Sequence, residues 1–551
     1  MKPWLSFRHR YEWLLLPILL GLAFFLIQLT QLSQYGATWD EPLHRNWGHL
    51  FDVFLRSGDR EVLRLMPGNG IEYGPVYYLL GYWISEWLMG AFALPLFEAS
   101  HVLNLITASI AVGCVFAFAR SIAGKKIAWF SLMFFVLSPQ FIAHAHYNPK
   151  DIPLLLAVLI ASHVFLKAIN ETSNKLFILS GFLFGAAVAL KVSALLMGPA
   201  VLGAYFVWLF DRKQQGCHGE RSRTMHPALL SSFDSAQDDN NAISGIANTF
   251  STKNEAFMLF LAVAAFLIGL ILLWPTAWGD LLLIPRAIRF FLTGDYWPGT
   301  VLFFGKQYGG AELPWYYTVL EYAMAMPVVM IVFLVSGFWF LVRSMIRQER
   351  LATHTFLLLW IAVPMLLSMK SGLVRYDGMR QFFFTLPAVA VIAAIGLDTI
   401  IRLILKKLSI INYQLSISVV IVFIVVASLI HEVAILHPFE GSYRNEIVRL
   451  MYPERMDRVF NLEYWGATYK QGVDWLNANA SQNAVVCVPT ADVLIDWYDV
   501  RPDLSFGCSA DASYMMFFTR YSKAEDPALV SHEPVFTVER MGAELLRIYK
   551  L

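Results

Sequence analysis

Eleven apolar runs recur along this chain, at 13–32, 101–119, 127–143, 152–169, 176–190, 193–210, 257–274, 317–342, 354–369, 382–402 and 416–436. A helix needs ~20 predominantly apolar residues to cross the hydrocarbon core of a bilayer. No water reaches that core, so the backbone must satisfy its own N–H and C=O groups, which a helix does. The expected fold class is therefore a mainly α polytopic membrane protein with about 11 transmembrane helices. Composition agrees: 57% of the 551 residues are hydrophobic and 15% charged, against roughly 25% charged in a soluble protein. The 42 basic and 41 acidic residues nearly cancel, so no whole-chain field favours nucleic acid. Four cysteines in such a length imply no metal framework.

Loop charge orients the helices. The stretch 73–90 is apolar but carries Glu86 and the aromatics Tyr77, Tyr78, Tyr82, Trp83 and Trp87, with Glu72 just before it. Such a mixture suits a helix lying in the interface. With that stretch outside the count, the inner loops hold Arg8 and Arg10, Arg120 with Lys125 and Lys126, Arg343 with Arg347 and Arg350, and Arg402 with Lys406 and Lys407. Each is net positive, as the positive-inside bias requires. No small-residue cleavage site follows the first run, so it stays as a helix. The expectation is a multi-pass protein of the cell (inner) membrane, with a cytoplasmic N-terminus and an extracytoplasmic C-terminal part.

Three units follow. Residues 1–436 form the transmembrane domain, including a first outer loop at 33–100. Residues 211–254 form a polar inner insert without apolar periodicity, expected to be disordered. Residues 437–551 form a small α/β domain, with a helix near 469–479, a strand at 484–488 and a closing hairpin around 535–549 turned at Met541-Gly542. Its Cys487 and Cys508 are either a disulfide or two buried free thiols.

The chemistry-bearing residues lie in the outer loops. After the first helix comes TWDEPLHRNW, whose Asp40 and Glu41 lie close to the membrane surface on a backbone stiffened by Pro42. Asp40 also fits the N-cap of a helix opening at Pro42. The second outer loop reads HAHYNPKDIP and gathers His144, His146, Asn148, Lys150 and Asp151. His144, His146 and Lys150 are candidate substrate or metal contacts, and the two histidines with Asp151 have the donor types for a divalent cation, although no third strong ligand is adjacent. The third group, KSGLVRYDGMRQFFF, holds Lys370, Arg375, Asp377 and Arg380. Cations outside run against the positive-inside bias and call for an anion, either Asp377, a lipid headgroup or a phosphate held by guanidinium forks. Lys191 is a single cation in an apolar turn, where snorkelling is the simpler account.

These residues, in this order, resemble the GT-C fold glycosyltransferases that use polyprenyl-phosphate sugars, the protein O-mannosyltransferase and lipid A aminoarabinose transferase group. The likeness is carried by Asp40-Glu41 after helix one, the EYGPVYYLL entry, Asp151, the AL-Lys191 turn, the YDGMRQFFFTLPAVAVIAAIGL helix and the stretch from HPFEGSYRNEIV to LEYWGATYKQGVDWLNANA. Where relatives often have His or Lys with two prolines, this chain has Tyr73, Gly74 and Pro75.

The resemblance implies an inverting sugar transfer from a polyprenyl-phosphate donor to a hydroxyl acceptor on protein, lipid or glycan at the outer membrane surface. Asp40 would be the catalytic base, with Glu41 beside it and Asp151 assisting. Lys191, Arg375 and Arg380 would hold the donor phosphate. No cofactor is required by this scheme, although it admits a divalent cation. Two rival readings are a flippase of lipid-linked saccharides and a non-catalytic envelope scaffold. Transporters usually show internal repeats and broken midplane helices, and no repeated half is visible in this chain.

Overall fold

The computed structural model describes residues 2–223, 237–293, 297, 299–408, 414–521 and 533–551. The first half of the helical body comprises α1 (Lys2–Leu29), α2 (Asp40–Ser57), α3 (Val76–Phe92), α4 (Leu96–Ala123), α5 (Lys125–Val136), α6 (Pro139–Tyr147), α7 (Asp151–Glu171), α8 (Asn174–Leu190) and α9 (Gly198–Arg223). Then follow α10 (Gln237–Leu272), α11 (Leu283–Thr293), α12 (Tyr317–Met324), α13 (Val328–Ile346), α14 (Leu351–Ser368), α15 (Leu386–Leu408) and α16 (Gln414–Ala434). A short hairpin of β1 (Thr300–Phe303) and β2 (Lys306–Gly309) interrupts the second set.

All eleven apolar runs fall on helices. Among the described residues, eight helices are long and apolar enough to cross a membrane, or nine if α5 and α6, which meet at a 66° bend, are one span, and Leu15–Leu29 and Asn174–Leu190 are shorter apolar helices. The bend sits at Leu137-Ser138-Pro139, with Pro139 opening α6 where its missing N–H costs nothing. Helices α4, α7 and α15 are the buried spans, whereas α10 and α16 present apolar side chains such as Phe260 and Phe423 outward. Outward apolar faces on that scale belong in lipid, not water. Two seams bring backbones together: a Cβ on Gly181 or Gly185 of α8 would collide with carbonyls of α10, and one on Gly396 of α15 would collide with the Phe333 carbonyl of α13. Small residues at such seams are how membrane helices approach closely.

Two expectations change. The run 317–342 is not one helix, because Pro327 separates α12 from α13. Proline supplies no N–H and disfavours helical backbone before it. The start of α13 is completed from far along the chain, where Glu446 Oε2 accepts the Val328 N–H at 3.0 Å. The insert 211–254 is helical where described, since α9 runs on to Arg223 and α10 begins at Gln237. Extending an existing helix adds one bond per residue fixed. Residues 224–236 lie outside the described residues.

After α16 the chain forms α17 (Glu446–Met451), α18 (Tyr469–Asn479) and a mixed sheet of β3 (Val485–Cys487), β4 (Ser505–Phe506), β5 (Tyr514–Phe518), β6 (Phe536–Arg540) and β7 (Ala543–Lys550), in the order β4-β3-β5-β7-β6. Strands β3, β4 and β5 run parallel, and β7 pairs antiparallel with β5 and β6. Met541 and Gly542 turn the β6–β7 hairpin with φ of 53° and 69°, the left-handed pair that matches strand twist. Cys487 and Cys508 form a disulfide across 21 residues of sequence. Closing such a loop is worth about 3 kcal/mol. Replacing both cysteines by serine is therefore expected to lower the unfolding free energy of this unit by that amount, read by denaturant titration of the detergent-solubilised protein.

Candidate functional site

The local fold of the first outer loop decides which of its carboxylates is available. Glu41 folds back on the loop before the helix: its carboxylate accepts the Thr38 N–H at 2.6 Å and the Thr38 hydroxyl at 3.1 Å, while Trp39, the N-cap residue of α2, makes no side-chain cap bond. Glu41 also faces His101 Nε2 at 3.1 Å. Glu41 is thus engaged by the loop before α2 and by His101. Asp40, which the sequence also allowed as the cap, opens α2 with its side chain directed to cations instead.

Asp40 Oδ2 lies 3.1 Å from Arg380 Nη1 and 3.6 Å from Lys150 Nζ. Burial alone would raise its pKa, but Lys150 and Arg380 outweigh burial and hold the carboxyl below the usual carboxylate range. Burial pulls Lys150 down from the ordinary lysine range, opposed by Asp40. The ammonium also lies over the rings of Tyr73 at 5.1 Å and Trp47 at 5.6 Å. Tyr73 is thus a platform for Lys150.

Asp151 comes from the α6–α7 corner, which Asn148 organises. The Asn148 Oδ1 accepts the N–H groups of Lys150 and Asp151 at 3.2 and 3.0 Å, and its Nδ2 donates to Asp151 Oδ2 at 2.9 Å. Lys191 Nζ, at the break after α8, is 2.5 Å from Asp151 Oδ1. Lys191 is thus a buried partner and not a snorkelling one. The Lys150 ammonium feels both aspartates as well as Arg380 and Lys191, so the two sequence-distant carboxylates share one electrostatic neighbourhood. His44, one turn beyond Asp40, is held neutral by burial, and both its ring nitrogens lack a hydrogen-bond partner among the described residues.

The two histidines of the second loop do not converge. His144 Nδ1 meets Asn148 at 2.6 Å, whereas His146 bonds Gln28 at 3.0 Å and stacks on Tyr35 at 3.7 Å between ring centroids. The described residues hold no group of three or more metal-ligating side chains. The chelate suggested for His144, His146 and Asp151 is therefore not assembled.

Arg380 is the hub. It also binds Asp377 Oδ2 at 2.7 Å, and its guanidinium packs over Trp465 at 4.5 Å. Asp377 passes the chain of charges on to Arg520 Nη2 at 2.6 Å, and Arg520 donates to the Tyr464 carbonyl at 2.8 Å and lies over Trp39 at 4.6 Å. Arg520 follows β5, so the C-terminal sheet itself closes the cluster. No spacing in the sequence marks this residue, because its partner is 143 positions away.

Arg375 corrects the sequence reading. It is buried, and its guanidinium donates to the carbonyls of Leu313, Pro314 at 3.0 Å and Ser368 at 3.3 Å. It ties loops together and has no donor aimed at the cluster.

The covering Trp465 is positioned by Glu463, whose carboxylate accepts the N–H groups of Trp465 and Gly466 at 2.9 and 2.6 Å. Burial pushes the Glu463 carboxyl up to about 7. The folded chain therefore binds this proton more tightly than the unfolded chain, whose carboxyl titrates near 4.5. Stability from this group is full below about 4.5 and is lost as pH rises through about 7, about 3 kcal/mol in total. Glu463→Gln is expected to flatten that slope, measured as melting temperature against pH between about 5 and 8.

Fold and site together define a polytopic helical membrane protein with a cluster of paired charges where its helices meet the C-terminal sheet. A family model described as dolichyl-phosphate-mannose-protein mannosyltransferase matches residues 79–216, which run from α3 into α9. Among solved structures, the chain is similar to ArnT from Cupriavidus metallidurans bound to undecaprenyl phosphate, at 14% identity over 98% of both chains with a TM-score of 0.44. It is also similar to the apo form of that protein, at 12% identity over 98% of both chains with a TM-score of 0.47. The apo oligosaccharyltransferase of Archaeoglobus fulgidus is 14% identical over 88% of this chain and 63% of that one, with a TM-score of 0.47. No curated protein matches the chain. At these identities no residue role passes from the solved structures to this chain.

Proposed function

We propose that this protein transfers a sugar, hexose or pentose, from a polyprenyl-phosphate donor to a hydroxyl acceptor, with inversion, at the extracytoplasmic face of the cell membrane. The observation that carries the reading is the run of contacts Lys150–Asp40–Arg380–Asp377–Arg520, with Asp151–Lys191 beside it. Four cations meet three carboxylates there, a net charge of +1 that an arriving phosphate monoanion would neutralise. Such a site suits an anionic leaving group on one side and an ionised base on the other.

Arg380, Lys150 and Lys191 take the donor phosphate in this scheme and offset the charge that develops as the polyprenyl phosphate departs, the electrostatic contribution that is usually the largest. Asp40, ionised throughout the neutral range, accepts the proton of the acceptor hydroxyl as that oxygen attacks the anomeric carbon. Its lowered basicity is relieved when the donor phosphate draws Lys150 and Arg380 toward itself. Asp151 keeps Lys191 in place, and His44, neutral and unpaired, is positioned to bond a sugar or acceptor hydroxyl. The disulfide suits an oxidising compartment and so favours the extracytoplasmic side for the C-terminal domain.

The test is to incubate the purified protein in detergent with a panel of radiolabelled polyprenyl-phosphate sugars, with and without a chelator of divalent cations. Consumption of one donor with inversion at the anomeric carbon is the expected result. Turnover is expected to survive the chelator within about twofold, because Asp40 and Asp151 already face protein cations and leave little negative charge to attract a metal. Failure of every donor, with the protein monodisperse, would remove the transferase reading.

A further inference from the structure

A charged cavity of about 780 Å³ lies between the C-terminal ends of α4, α13 and α15 and the N-terminal end of α14. Helix α15 connects it with the Asp40 cluster: from Arg380 to Arg402 the chain rises about 35 Å, close to the thickness of a bilayer core. The cavity rim carries Arg343, Arg347, Arg350, Arg402 and Lys406 against two carboxylates, Glu349 and Asp398. Both carboxylates are engaged. Ser344 donates to Glu349 at 2.9 Å, and Asp398 binds Lys126 at 2.5 Å and Arg402 at 2.7 Å. Arg347 and Lys406 have no ion-pair partner among the described residues, and Arg343 lies over the Trp339 ring at 5.2 Å.

The wall below this rim is apolar, built from Trp339, Leu357 and Ile395 with Ile122 across from them. A small anion would use the cations and leave that wall bare. A ligand that satisfies both has an anionic head and a hydrocarbon body.

We infer that this cavity binds one acidic phospholipid, its phosphate among Arg343, Arg347 and Lys406 and its proximal acyl chain against the Trp339–Ile395 wall. Basic pockets between helices on the positive side of a membrane protein recognise acidic headgroups in this way. The site is separate from the Asp40 cluster and does not rest on the transferase reading.

The experiment is native mass spectrometry of the full chain released from detergent micelles after addition of dioleoylphosphatidylglycerol or dioleoylphosphatidylcholine. One tightly retained phosphatidylglycerol is expected, held at least about tenfold better than phosphatidylcholine. The double variant Arg347→Gln, Lys406→Gln is expected to lose that preference. Leu403→Trp, which crowds the cavity mouth from an exposed position, is expected to reduce retention with all cations in place, and it serves if the double variant fails to fold. Millimolar inorganic phosphate or glycerophosphoglycerol is expected not to displace the lipid. Equal retention of the two lipids, retention unchanged in the variants, or displacement by the acyl-free anions would each overturn the inference.

Discussion

Asp40→Asn is expected to lower the rate of sugar transfer by about 10²- to 10⁴-fold, the range of a positioned general base, while the protein remains folded in the membrane. The carboxamide keeps an oxygen for Arg380 at 3.1 Å, so the contact survives and the charge does not. Lys150 and Arg380 then lose their shared counter-charge, and Arg380 retains Asp377. A drop in melting temperature is therefore expected to be modest, and the loss of turnover must exceed what that drop explains. Asp40→Glu is the control: it restores the charge one methylene further out and is expected to recover part of the rate. Wild-type turnover by Asp40→Asn would take Asp40 out of the catalytic step.

The second large effect separates two arginines that look alike in the sequence. Arg380→Lys keeps a positive charge but cannot reach Asp40 and Asp377 together as a planar fork does. It is expected to cut kcat/KM for the donor by about 10²-fold or more and to leave acceptor KM within a few-fold. Arg375→Lys is expected to behave differently. Its guanidinium satisfies several buried carbonyls, so the variant loses stability, about 1–3 kcal/mol for groups left unpaired, with donor KM unchanged in whatever protein folds. Initial rates over a donor series, set beside thermal melts, distinguish the two. Equal donor defects in both variants would return Arg375 to the phosphate site.

Much of this could be read before any coordinates. The apolar runs announced helices because a bilayer leaves the backbone one open-chain solution, and all eleven fall on helices. The Met541-Gly542 hairpin was legible because a two-residue turn needs left-handed backbone and glycine supplies it cheaply. Asp40, Lys150, Asp151, Lys191 and Arg380 stood out as ionisable groups crowded at ends of apolar runs, where each requires a partner. The division of labour between Asp40 and Glu41 was not legible, because neither side chain caps α2: Glu41 turns back to the Thr38 N–H, and Asp40 meets cations supplied by distant segments.

The remainder depended on which groups meet. Hydropathy fixes how a segment is solvated, and solvation is a property of the segment alone. Charge pairing is a property of two positions at once, set by the path of every helix between them. That is why Arg375 and Arg380, five residues apart in one loop, end with carbonyls in one case and carboxylates in the other. For the same reason Arg520 closes the cluster without any sequence signal. The sequence by itself determined a polytopic helical chain with polar loops and a small α/β tail, because burial of apolar surface acts residue by residue. Only the tertiary structure decided the members of the charged cluster, because a Coulomb interaction weakens with distance and rises with burial, and both are fixed only once the helices and the sheet have packed.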